Sequence, residues 1–157
     1  DADYIQKRLS TFDGVKRRYT VQEVGNNVYV DDYAHHPTAI KYVIEATRSR
    51  YPGKEIVAIF QPDRFSRGLR FAKEFAESMN LADYPFLVHF PENAKKEAGI
   101  DIDIHEIGQY LPRAIVIHED EDAVKLLAEH DDVVFLFMSS KDIYKFEDML
   151  IDYKSTH

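Results

Sequence analysis

Apolar residues along the chain alternate between runs of strand length and stretches with helical spacing. Two strand-like runs, 18–24 and 28–31, flank Gly25-Asn26-Asn27, a composition that predicts a hairpin turn. The same pattern predicts four later strands and six helices. The strands are expected at 56–60, 86–90, 114–117 and 133–138, and the helices at 5–12, 37–50, 69–81, 104–111, 123–129 and 143–153.

This succession predicts an α/β fold in a single domain, residues 1–157. Strands that alternate with helices form right-handed crossovers and therefore a mostly parallel sheet with helices on both faces. The runs 56–60 and 133–137 are apolar throughout, which is typical of strands buried on both faces. The hairpin adds an antiparallel N-terminal edge. In such sheets ligands bind beyond the carboxyl ends of the strands.

Composition and charge narrow the classes of function. The chain has 157 residues and a net charge of −8, which argues against a nucleic-acid-binding surface but allows one small anion site. It has no cysteine, so disulfides, thiolate catalysis and zinc–sulfur sites are excluded. Neither a signal peptide nor an apolar run long enough for a membrane helix is predicted.

Two strand ends carry most of the candidate chemistry. Segment 31–38 reads Asp-Asp-Tyr-Ala-His-His-Pro-Thr and offers carboxylates and imidazoles. Segment 60–67 reads Phe-Gln-Pro-Asp-Arg-Phe-Ser-Arg and offers Arg64 and Arg67. The planar guanidinium fork suits a carboxylate or phosphate, so this pair beside a helix start predicts an anion clamp.

Simpler interpretations remain open for both segments. Asp31 can merely end its strand, and His36 before Pro37 can merely cap a helix. The two arginines can be a surface feature of the helix that follows them. A third possibility is a divalent-metal phosphoesterase site built from carboxylates and imidazoles, with 118–120 (His-Glu-Asp) as a further contributor. Its core ligands would be Asp31, Asp32, His35 and His36.

Three segments, in order and spacing, resemble the successive motifs of the C-terminal domain of the Mur ligase family. They are 12–19 (Phe-Asp-Gly-Val-Lys-Arg-Arg-Tyr), 31–38 and 60–67, and the likeness covers nearly the whole chain. The resemblance implies a Rossmann-like third domain of a three-domain cytoplasmic enzyme of peptidoglycan synthesis. The sugar-nucleotide and central ATPase domains would lie outside this chain, in which no phosphate-binding P-loop motif occurs.

The resemblance also implies an activity. Phe-Gln-Pro-x-Arg favours family members that join L-alanine to UDP-N-acetylmuramate, whereas a related member attaches murein tripeptide instead. In the family, ATP phosphorylates the muramate carboxylate, the amine of the amino acid attacks the acyl phosphate, and phosphate leaves. Mg²⁺ screens the phosphate charge. ATP and Mg²⁺ would be held mainly by the central domain, so this chain alone is expected to be inactive.

By motif position, the resemblance assigns roles to five residues. Arg18 and Asp32 resemble ATP-binding residues, and Asp32 and His35 resemble catalytic ones. His35, Arg64 and Arg67 resemble the residues around the incoming amino acid. No residue of this chain is expected to be a metal ligand.

Two departures from the family pattern leave a non-catalytic binding module as a further alternative. The family usually has His where Asp63 stands. It also tends to have Gly-Ala-Gly-Asp-Ile after the last strand, where this chain has 139–143, Ser-Ser-Lys-Asp-Ile. Glycine permits a close backbone approach that serine and lysine do not.

Overall fold

The computed structural model describes residues 18–91, 99–140 and 142–157. The predicted helix at 5–12, motif residues 12–17 and most of a predicted loop at 91–96 lie outside them. The described strands are β1 (Thr20–Val24), β2 (Asn27–Asp32), β3 (Glu55–Phe60), β4 (Tyr84–Val88), β5 (Ile115–Ile117) and β6 (Val133–Met138). The described helices are α1 (Pro37–Arg50), α2 (Phe65–Arg70), α3 (Ala72–Met79), α4 (His105–Gly108), α5 (Glu121–Leu127) and α6 (Tyr144–Thr156).

The six described strands form one sheet in the order β1-β2-β6-β3-β4-β5. β1 and β2 pair antiparallel, and the remaining neighbours pair parallel. Val24 pairs with Asn27, and Gly25 between them has a φ of 63°, which glycine adopts without strain. The predicted α/β fold with an antiparallel edge hairpin is confirmed.

Helices cover both faces of the sheet and divide the core into two layers. Val28 and Val30 of β2 pack in the layer that contains α1, α3 and α4, whereas Tyr29 packs in the layer that contains α5 and α6. This alternation follows from the two-residue period of a strand. It sends Asp32 toward the α1 side of the sheet and Asp31 toward the other side. No described helix combines the length and apolar character that a bilayer crossing requires.

The helix predicted at 69–81 is confirmed in part, because α3 lies within these bounds. Residues 69 and 70 belong instead to a separate helix, α2, and the break between the two helices falls at Phe71, where φ is −115° and ψ is 21°. α2 packs against the loop after β4: the ring of Phe65 meets Phe90 edge-on at 4.8 Å, and Gly68 lies directly against Phe90. Tertiary contacts of this kind set the direction of α2, and helical periodicity does not reveal them.

The strand predicted at 86–90 lies two residues earlier, at Tyr84–Val88. Pro85 concealed its beginning, because proline cannot donate to a strand ladder. In the structure Pro85 pairs with Ala58 of β3, while pairing with β5 begins only at Phe86. Proline therefore occupies the part of β4 that is not flanked by β5.

The position of β6 between β2 and β3 creates the crevice in which a ligand is expected. Met138 at the end of β6 pairs with both Asp32 and Phe60, so the three strands end at the same level. The chain leaves β2 and β3 toward the α1 face and leaves β6 toward the α6 face. Strand order therefore switches at this point, which is where open α/β sheets bind ligands.

We expect Gly68→Ala to destabilise the chain. The added methyl group would lie 2.8 Å from the ring of Phe90 and 3.2 Å from Ile102, and such overpacking costs about 1–3 kcal/mol. The gain in helix propensity, about 1 kcal/mol, equals only the lower end of this cost, so we expect a net loss of stability. Gly53→Ala is the matched control, because nothing lies within 4 Å of its added methyl group. Denaturant unfolding should show a lower free energy for Gly68→Ala alone; equal stability of the two variants would contradict the packing argument.

Candidate functional site

Asp32 is the last residue of β2, and backbone groups hold its carboxylate on both sides. Oδ1 accepts a hydrogen bond from the Tyr19 N–H at 2.7 Å, and Oδ2 accepts one from the Ala34 N–H at 2.9 Å. Burial raises the pKa of Asp32 above its ordinary value, while these hydrogen bonds and the charge of Arg18 limit the rise. The carboxylate is therefore fixed in direction before any ligand arrives.

Tyr19, whose N–H donates one of these two hydrogen bonds to Asp32, has an unusual backbone conformation. Its φ of 50° lies in the left-handed region, which costs a residue other than glycine about 1–3 kcal/mol. The side chain compensates by contacting α1: its hydroxyl lies 2.8 Å from Thr47 Oγ1, and the Arg50 guanidinium lies 5.6 Å from its ring centre. This anchoring aims the Tyr19 N–H at Asp32 and brings the preceding Arg18 to the same place.

The two histidines after β2 have different roles. His35 Nδ1 lies 2.8 Å from the Tyr33 carbonyl oxygen. Because a carbonyl only accepts, this nitrogen carries the proton, and in the neutral ring Nε2 keeps a lone pair. His36 is the N-cap of α1, and its Nδ1 accepts from the Thr38 N–H at 3.4 Å. The interpretation of His36 as a helix cap is confirmed.

These residues share one surface depression, which brings the predicted ATP-binding and catalytic side chains together. Arg18 is exposed at its rim, and the half-buried Asp32 and His35 lie inside it. The depression is lined by Arg18, Asp32, Tyr33, Ala34, His35, His36 and Ala39. It thus combines one cation, one oriented carboxylate and one imidazole.

The four residues of the phosphoesterase alternative do not converge in the structure. Asp31 is buried within β2 on the face of the sheet opposite Asp32. The further contributors are engaged elsewhere: the Asp120 carboxylate accepts from the Ala123 N–H and caps α5, and His118 stacks on His89 at 3.8 Å. In the described ranges, no group of three or more potential ligands is placed to hold a metal ion.

The two arginines lie on the segment that follows β3. Arg64 is the exposed N-cap residue of α2, and its side chain makes no cap hydrogen bond with the helix. Arg67, one turn later, lies 3.5 Å from the Asp63 carboxylate. The same carboxylate accepts a hydrogen bond from the hydroxyl of Ser140, beyond the end of β6. Two positions that depart from the family pattern are therefore in direct contact.

Gln61, quoted above only as part of segment 60–67 and without a role of its own, is buried beside the end of β3. Its amide donates to the His89 carbonyl oxygen at 3.0 Å and to the Glu119 carboxylate at 2.7 Å. Its own N–H donates to the Met138 carbonyl oxygen at 3.1 Å. It thereby joins the ends of β3, β4, β5 and β6. The sequence signal that could have pointed to Gln61 is its position as a polar residue between the end of a buried strand and Pro62.

The two halves of the site lie on either side of β6. Asp32 and Phe60 are separated by one intervening strand, which corresponds to about 9–10 Å. The loop after β2 and the end of α2 meet through the rings of His36 and Phe71, whose centres are 5.1 Å apart. The structure therefore places the Arg18–Asp32–His35 group and the Arg64–Arg67 group at the same sheet edge as two neighbouring groups.

Comparison with known proteins identifies relatives of this chain. Residues 16–140 match the family described as Mur ligase, glutamate ligase domain. The chain is 41% identical over 148 residues, 94% of its length, to UDP-N-acetylmuramate–L-alanine ligase of Streptococcus sanguinis, of which it spans 33%. It therefore corresponds to about one third of that relative.

Solved structures show the same fold. UDP-N-acetylmuramate-alanine ligase from Thermotoga maritima matches 96% of this chain with a TM-score of 0.69 and 25% identity, over 33% of its own length. A murein peptide ligase from Psychrobacter arcticus matches 87% of this chain with a TM-score of 0.67 and 21% identity, over 29% of its own length. The second likeness concerns the fold alone.

We expect that Asp32 and His35 do not form a tight metal site in this chain. Both Asp32 oxygens already accept backbone N–H groups, and direct ligation of a cation would have to compete with these bonds. Calorimetric titration with Mn²⁺ and Zn²⁺ should show no stoichiometric micromolar binding. Micromolar binding that disappears in Asp32→Ala would instead support the phosphoesterase alternative.

Proposed function

The chain belongs to the Mur ligase family, as its C-terminal domain, and on this premise we propose that it forms part of an ATP-dependent ligase. The ligase joins L-alanine to UDP-N-acetylmuramate in cytoplasmic peptidoglycan synthesis. This chain is its third domain, and the sugar-nucleotide and central ATPase domains lie outside the chain. The likeness to an alanine-adding ligase over nearly the whole chain is the observation that carries the proposal.

The Arg18–Asp32–His35 group acts on the phosphate groups of the reaction. Arg18 is an exposed cation beside an oriented carboxylate, which suits a phosphate group of ATP approached from a neighbouring domain. Domain closure brings these groups to the muramate carboxylate, excludes water and completes the site. ATP phosphorylates that carboxylate to an acyl phosphate, and Arg18 and Asp32 contribute by holding and orienting the reacting groups.

Mg²⁺ supplies screening of the phosphate charges when it is bound. The residues that bind Mg²⁺ directly would come mainly from the central domain, because the Asp32 carboxylate of this chain already accepts two backbone hydrogen bonds. Asp32 therefore fits a position that meets the ion through the nucleotide.

The arginine half receives the amino acid. Arg64 and Arg67 hold its carboxylate, and His35 stands at the neighbouring strand end with a free Nε2 lone pair in its neutral form. The amine attacks the acyl phosphate, and phosphate leaves from the tetrahedral intermediate. His35 Nε2 is suited to accept the proton that the attacking amine releases. The main contribution of the arginines is positioning.

We expect the 157-residue chain alone neither to hydrolyse ATP nor to form the peptide bond, because no P-loop occurs in its sequence. The protein at its natural length should ligate L-alanine. The test incubates each protein with ATP, Mg²⁺, UDP-N-acetylmuramate and L-alanine and measures product and phosphate. Ligation by the chain alone would contradict the proposal that a central domain outside this chain is needed to bind ATP. Absence of ligation by the natural-length protein would contradict the proposed function.

Arg64→Ala and Arg67→Ala should each impair the use of L-alanine in the natural-length protein. Loss of a charge-assisted hydrogen bond costs about 1.5–3 kcal/mol, or about a ten- to hundredfold loss in kcat/KM for L-alanine. Arg64→Lys should also impair the use of L-alanine, because lysine keeps the positive charge but lacks the paired N–H donors of the planar guanidinium group. Steady-state kinetics test this prediction. The KM values for ATP and UDP-N-acetylmuramate should remain nearly unchanged.

Arg70→Ala is the control for these variants. Arg70 ends the same helix and lies over the ring of Phe71 at 5.3 Å. An unchanged efficiency for L-alanine in both Arg64→Ala and Arg67→Ala would show that the pair is a surface feature of α2.

A further inference from the structure

Charges of alternating sign follow one another at the N-terminus of α2. Asp63 stands next to Arg64, and its carboxylate is paired with Arg67 at 3.5 Å. The pair is partly withdrawn from water: the Asp63 side chain is 12% exposed and the Arg67 side chain 27%. Partial burial weakens screening by salt, so the negative charge of Asp63 acts on any ligand that approaches the two arginines.

The Asp63 carboxylate cannot easily turn away from this position. The Ser140 hydroxyl donates to Oδ2, whereas Arg67 faces Oδ1. Ser140 follows β6 and is separated from Asp63 by 77 positions in the sequence. A side chain from another loop therefore holds the carboxylate in the direction of Arg67.

Arg67 retains capacity to bind a ligand despite this pairing. Its contact with Asp63 is an ion pair at 3.5 Å with no hydrogen bond between the two side chains. A guanidinium has five N–H donors in a planar fork. The carboxylate thus offsets the charge of Arg67 without occupying its donors.

From this arrangement we infer that Asp63, held by Ser140, makes the Arg64–Arg67 site selective for zwitterions over simple anions. A plain carboxylate or sulfate is attracted by two cations but repelled by the fixed carboxylate paired with Arg67. An α-amino acid carries its own ammonium group, which turns this repulsion into attraction. Specificity of this kind comes from a repulsive element directed against the competing ligand. The inference rests on the proposed function and deepens it, since it assigns the selecting residue.

The experiment removes the negative charge and retains the shape of the side chain. Asp63→Asn is compared with the wild type and with Asp148→Asn, an exposed position on α6 that controls for the change in net charge. All variants are made in the natural-length protein, and thermal unfolding verifies that each is folded. Calorimetric titration with sulfate is the first measurement, and it needs no ligase activity.

Sulfate affinity should rise at least about tenfold in Asp63→Asn, equivalent to about 1.4 kcal/mol. It should remain at the wild-type value in Asp148→Asn and return to it when Arg67→Ala is added to Asp63→Asn. Ser140→Ala should produce a smaller rise, because the carboxylate stays but loses the hydroxyl that orients it.

The second measurement compares L-alanine with propionate, which lacks only the ammonium group. In the ligation assay, the ratio of the KM for L-alanine to the inhibition constant for propionate should rise at least about tenfold in Asp63→Asn. Wild-type values of both the sulfate affinity and this ratio in Asp63→Asn would overturn the inference and leave the ligase function standing.

A different result would overturn the ligase function alone. If the wild type does not ligate L-alanine, the proposed function is wrong, and direct titrations with L-alanine and propionate then decide the inference. A preference for L-alanine that Asp63→Asn abolishes supports the role of Asp63, and an unchanged preference contradicts it.

Discussion

The insertion of β6 between β2 and β3 is the constraint on which the candidate site depends. Met138 pairs with Asp32 on one side and with Phe60 on the other, which brings three strand ends to one level. Backbone bonds continue this alignment past the strands: the Ser139 N–H donates to the Asp32 carbonyl oxygen, and the Gln61 N–H donates to that of Met138. The loops that carry the charged groups therefore start from a shared, rigid base, and a change in the register of β6 would displace both halves of the site.

Much of the fold could be predicted because its determinants are local. Continuous apolar runs indicate buried parallel strands, and the strand predicted at 133–138 coincides with β6. His36 before Pro37 carries its own cap signal, since both residues act within one turn of α1. The grouping of Asp32 with His35 is local as well, because the two follow one another at a single strand end.

The remaining features depend on residues distant in sequence. The break at Phe71 reflects packing of α2 against Phe90, which no periodicity within 65–81 records. The role of Gln61 depends on where β4 and β5 end. The contact between Asp63 and Ser140 required the strand order, and sequence reasoning could treat these positions only as two separate departures from a family pattern.

The two halves of the site use different groups to hold a carboxylate in a fixed orientation. Each places a carboxylate near an arginine: Asp32 is held by two backbone N–H groups, whereas Asp63 is held by a side-chain hydroxyl. A carboxylate fixed by backbone bonds survives most substitutions around it, whereas one fixed by Ser140 depends on a single side chain. Preorganised charges act on a ligand without reorganisation, and the first arrangement keeps the Asp32 carboxylate oriented through backbone groups alone. The second depends on Ser140, so that a single substitution there would remove the hydroxyl that orients the Asp63 carboxylate.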